Sequence, residues 1–62
     1  MWGVIFVAHH IDEANRIRES LEDAGIIART REVLKSKDNS GLIEILVMES
    51  DIPDAYEIIS SI

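Results

Sequence analysis

The chain has no cysteine, so neither a disulfide framework nor a thiolate metal site holds it together. Aromatics are scarce: Trp2, Phe6 and Tyr56 are the whole set, and core or interface filling is the expected use of each. No stretch approaches the ~18 apolar residues of a membrane span. The longest uninterrupted apolar or glycine run is Met1–Ala8, and it has neither a basic leading segment nor a cleavage site. It does not read as a signal peptide, and a cytoplasmic home is expected.

Positive charge is missing from the second part of the chain. Residues Met1 to Lys37 carry six acids and six bases, whereas Asp38 to Ile62 carry six acids and no base, which gives the formal net charge of −6. Nucleic-acid binding requires Lys and Arg to replace counterions on phosphates, and an anionic membrane surface makes the same demand. Neither partner is expected. The inventory for enzyme chemistry is equally thin. There is no nucleophile elbow, no glycine-rich phosphate loop and no His–carboxylate–Ser set at a useful spacing. Both lysines, Lys35 and Lys37, fall in or beside a polar turn, which is a poor setting for a pyridoxal Schiff base. No enzyme activity and no cofactor are expected.

What is present is apolar strand. Trp2–Ala8 and Leu42–Met48 are short, β-branched and apolar at nearly every position, as strands are when both faces are covered. By alternation, Trp2, Val4, Phe6 and Ala8 share one face of the first strand and Gly3, Ile5 and Val7 the other. Ile11–Ala24 is a helix whose stripe is Ile11, Ala14, Ile17, Leu21 and Ala24, with Asp12 and Glu13 in the first turn and Gly25 as its left-handed terminator. Ile26–Leu34 is an edge strand with charges along it, Arg29 and Arg31 on one face together with Ile27 and Val33. Lys35–Gly41 is a polar, mobile turn. In the third strand Ile43, Ile45 and Val47 make a wholly apolar row, and Leu42, Glu44, Leu46 and Met48 the other. Ser50 or Asp51 caps a second helix with Pro53 in its first turn and a stripe of Ile52, Ala55, Tyr56, Ile59 and Ile62. The chain stops inside this helix, so a longer natural C-terminus is an open expectation.

The order β-α-β-β-α, as a single domain over residues 1–62, predicts an α+β fold. A right-handed crossover makes the first strand parallel to its neighbour, and the hairpin then gives sheet order 1-3-2 with both helices on one face. This is the ferredoxin-like pattern without its last strand. It leaves the most apolar strand on an edge and one sheet face bare, a pairing site or an aggregation hazard. A domain this small buries only roughly 60% of its unfolded surface and is marginal unless something else holds it. A homodimer is therefore expected, through first-strand edges or open sheet faces, with Trp2, Val4, Phe6, Leu42, Leu46 and Met48 at the interface. Covering roughly 400 Å² of apolar surface per subunit would contribute on the order of 10 kcal/mol before association costs.

Three groups of residues are candidates for a site. Arg29 and Arg31, two apart on one strand face, can clamp a carboxylate or phosphate; the alternative is a solubilising charged edge paired with acids of another subunit. His9 and His10 can ligate a metal only with a third ligand, for which Asp12 and Glu13 are nearest; a solvated strand-to-helix junction is the plainer reading. Glu49, Asp51, Asp54 and Glu57 lack the spacing of a calcium loop and suit the start of a helix.

The chain also resembles a family of very small bacterial proteins described as signal-transducing, of unknown function. The likeness lies in HHIDEAN at the strand-to-helix junction, in LEDAGI, and in VMESDIPDAYEI, and it spans nearly the whole chain. It implies a dimerising ferredoxin-like half-fold akin to small regulatory modules. The expected function is a non-enzymatic, dimeric regulatory or small-ligand-binding module. An accessory module that docks its edge strand on a partner protein, and a His-based metal binder, are the alternatives.

Overall fold

A computed structural model describes residues 1–35 and 40–62. The elements run β1 (Trp2–His10), α1 (Ile11–Asp23), β2 (Ala28–Lys35), β3 (Ser40–Met48), a 3-10 turn (Glu49–Asp51) and α2 (Ile52–Ser60). The sheet order is β1-β3-β2, so the chain is an α+β, ferredoxin-like half-fold. Of the polar turn expected over Lys35–Gly41, residues 36–39 and the expected mobility lie outside the described residues, and the flanks already belong to β2 and β3.

Both edge strands are antiparallel to β3. The crossover through α1 makes β1 parallel to β2, but β3 stands between them, so β1 is not parallel to its neighbour in the sheet. The row Ile43, Ile45 and Val47 is buried under the helices, where it meets Ala14, Ile17, Leu21 and Ala55 in one cluster. Among the described residues no polar side chain is buried. Strict alternation in β3 explains this: one row is wholly apolar, and that row is the covered one.

β1 departs from simple alternation. Trp2, Gly3 and Val4 lie opposite Met48, Val47 and Leu46, but after a register shift Phe6, Val7 and Ala8 lie opposite Ile45, Glu44 and Ile43. Ile5 is the extra residue of a bulge. Trp2 and Val4 therefore share the face of Leu46 and Met48, while Phe6 and Ala8 turn to the helix face. Ala8 is fully buried there and Phe6 packs against the core. The expected row of Trp2, Val4, Phe6 and Ala8 is split in the middle, and Val7 replaces Phe6 on the open face.

α1 ends where glycine permits a left-handed turn. Gly25 has φ +88°, its N–H donates to Glu22 O at 2.9 Å, and the Ile26 N–H donates to Leu21 O at 2.9 Å. This pair of bonds is the Schellman arrangement, sealed by contact between the buried side chains of Leu21 and Ile26. Ile26 thus closes the helix rather than opening a strand, and β2 begins two residues later. Ile11 and Ala24, at the ends of the expected stripe, are exposed. Space around Gly25 is open, so Gly25→Ala is expected to cost about 1 kcal/mol through backbone conformation alone. Urea unfolding checks this, and Gly25→Asn should recover part of the loss.

α2 starts without a side-chain cap. Asp51 is itself in helical conformation at the end of the 3-10 turn, and Pro53 sits in the first turn. Ala55 is buried and Ile52, Ile58 and Ile59 pack beside it, whereas Tyr56 lies on the flank and Ile62 beyond the helix end, both exposed. A Cβ at Gly3 in β1 would meet Ile52 Cδ1 at 2.9 Å, so a side chain there would require the tip of Ile52 to turn aside.

Candidate functional site

α1 and α2 lie on one side of the sheet, and among the described residues no helix covers the other face. Its floor is the second row of β3, with Leu42, Glu44 and Leu46 partly exposed and Met48 more so. Along β1 it carries Trp2, Val4 and Val7, the last two about two-fifths exposed. Along β2 it carries Arg29 opposite Leu46 and Arg31 opposite Glu44.

The two halves of this face differ chemically. On the β1 side it is apolar. On the β2 side Arg31 Nε donates to Glu44 Oε1 at 2.7 Å, and Nη2 reaches the same oxygen. The hairpin register brings this pair together, since residues 31 and 44 are directly opposite. Glu44 is the more covered partner, its side chain 21% exposed against 64% for Arg31. An exposed pair of this type contributes about 0–1 kcal/mol, so its main effect is on where charge stands.

Arg29 is held differently. Its guanidinium carbon lies 4.3 Å from the centroid of the Trp2 ring. Trp2 is on β1 and Arg29 on β2, with β3 between them, so the indole must reach diagonally across the central strand. Cation–π attraction of about 0.5–1 kcal/mol keeps both side chains in place. Arg29 makes no ion pair among the described residues. Trp2, Arg29, Thr30, Arg31 and Leu46 line a shallow, open cleft of about 330 Å³.

The expected anion-site residues Arg29 and Arg31 are thus brought together, and the partner acid of Arg31 comes from the same chain. Sequence alternation places both arginines on one face; the Trp2 contact carries no local signal, because it joins strands that are not neighbours. Of the expected interface residues, Trp2, Val4, Leu42, Leu46 and Met48 share the open face, and Phe6 does not.

The remaining candidates are dispersed. His9 and His10 are exposed, and the His9 backbone N–H donates to Glu13 Oε1 at 3.2 Å, which ties that carboxylate to the strand-to-helix junction. Among the described residues no three His, Cys, Asp or Glu side chains are grouped to hold a metal ion. Glu49, Asp51, Asp54 and Glu57 follow the 3-10 turn and α2. Among the described residues no helix is long and apolar enough to cross a membrane.

No protein-family model, no curated protein sequence and no solved structure matches the chain.

Proposed function

We propose that this chain is a non-enzymatic, cytoplasmic regulatory module that works as a homodimer, with the β1 side of its open sheet face as the interface. The observation that carries this reading is the exposed set Val4, Val7 and Met48, with half-buried Leu42 on the same side of the sheet, away from both helices. An exposed apolar patch on a sheet face marks an interaction site, and a second copy is always present at the chain's own concentration. The two edges of the sheet favour the β1 side. β2 carries Arg29, Arg31 and Glu32, which discourage pairing, whereas β1 has no charge from Trp2 to Ala8. A signal-transducing role, as the family resemblance implies, fits a small dimer that presents a ligand cleft beside its interface.

The test is an isotope-filtered nuclear Overhauser experiment on a mixture of labelled and unlabelled copies. Intermolecular cross-peaks at the methyls of Val4, Val7 and Met48 are expected. Cross-peaks confined to α1 and α2 would overturn the interface. The uncharged β1 edge also suits a second reading, an accessory module that adds its strand to the sheet of another protein. In that case the isolated chain gives no intermolecular cross-peaks, and a partner co-purifies from native cells.

A further inference from the structure

We propose that the cleft between Trp2, Arg29, Arg31 and Leu46 binds a small amphipathic monocarboxylate, an acid with one carboxylate on a short apolar body. This rests on the small-ligand part of the regulatory reading but not on the dimer. Four observations select this ligand class.

The first is charge. Among the described residues Arg31 is paired with Glu44 and Arg29 has no ion pair, so the Arg29 cation at the cleft is left without a counter-charge. On a chain of net charge −6 this is a local exception, matched by a monoanion and not by a dianion. The second is the availability of donors. Arg31 spends Nε and Nη2 on Glu44, whereas among the described residues Arg29 meets the face of the Trp2 ring and no carboxylate, so its N–H edges can take a planar carboxylate. Contact with the indole biases the guanidinium toward the cleft before the ligand arrives, which lowers the ordering cost of binding.

The third is the wall opposite the charge. Leu46 and the indole of Trp2 offer apolar surface at the same cleft, so a bare inorganic anion would leave that surface wet. The fourth is size: about 330 Å³ is room enough for an acid of a few carbons. No covalent step is involved. The carboxylate docks on the edge of Arg29, and its apolar tail lies along Leu46 beside the indole.

Trp2 is the only tryptophan, so its fluorescence reports this cleft directly. The experiment titrates the full chain with hexanoate, acetate, hexylammonium and inorganic phosphate at matched ionic strength, and repeats hexanoate by calorimetry, which does not depend on the indole. Hexanoate is expected to saturate, with acetate weaker by about tenfold or more because it lacks the tail. Hexylammonium and phosphate should give no saturable response. Arg29→Gln should weaken hexanoate by about tenfold or more in the calorimeter. Glu44→Gln raises the local charge by one unit and should let phosphate bind.

Equal binding of acetate and hexanoate, equal binding of phosphate, or full retention of hexanoate affinity in Arg29→Gln would each overturn the assignment. Titrations at protein concentrations below and above dimerisation separate the two readings. Saturation by hexanoate in a chain that never dimerises sinks the dimer and supports the cleft. A dimer that ignores hexanoate sinks the cleft and supports the dimer.

Discussion

Val4→Glu is expected to separate the dimer while leaving the subunit folded. Val4 is 41% exposed on the open face, so the folded monomer tolerates a carboxylate there at a cost of about 0.5 kcal/mol. Within the proposed interface that carboxylate loses water and gains no partner. It also joins a dimer whose formal charge is already −12, twice the −6 of one chain. An unpaired charge of this kind should raise the dimer dissociation constant about a hundredfold, or about 3 kcal/mol. Tyr56→Glu is the control, since Tyr56 is half exposed on α2, on the opposite side of the sheet, and its substitution should leave the dimer unchanged. Light scattering after size exclusion reads both variants. Equal loss of dimer in the two would show that net charge, not the sheet face, governs association.

The second large effect concerns the covered face. Ile45 is fully buried at the middle of β3, the strand that joins both edges, and lies opposite Phe6 on one side and Thr30 on the other. Ile45→Ala removes the centre of the apolar row and leaves a cavity that the sheet cannot close by moving one edge. The expected cost is about 2–5 kcal/mol. A domain of this length has a total stability of about 3–9 kcal/mol, so the variant should lose roughly half of it and unfold at a much lower urea concentration. Far-ultraviolet dichroism in a urea series checks this. An unchanged midpoint would mean that the row does not carry the core. Because the proposed dimer links folding to association, raising protein concentration should partly restore the variant, as it should raise the wild-type melting temperature.

The sequence shows the covered face more plainly than the open one, and the reason is physical. Ile43, Ile45 and Val47 alternate with a row that contains Glu44, so the polar residue marks which side faces water. β1 has no such marker. Both of its rows are apolar, and alternation alone cannot reveal that Ile5 is an extra residue that sends Phe6 to the core and Val7 to the surface. No glycine or proline stands at that bulge to announce it. The end of α1 is legible at Gly25, but Ile26 reads equally well as a strand residue until the bond from its N–H to Leu21 O is seen.

The cleft divides in the same way. Arg29 and Arg31 are two apart in a strand, so their common face is visible from spacing. The pairing of Arg31 with Glu44 follows from the hairpin register, which becomes visible once β2 and β3 are aligned. The contact of Trp2 with Arg29 has no such route, because it crosses β3 and depends on the reach of two long side chains.

Sedimentation equilibrium of the unmodified chain over a wide concentration range tests the central claim most directly. A single monomer–dimer equilibrium, dominated by dimer at micromolar concentrations and weakened by Val4→Glu, is the predicted result. A monomer that persists at every concentration would contradict self-association through the open sheet face, and would assign the uncharged strand Trp2–Ala8 to another protein.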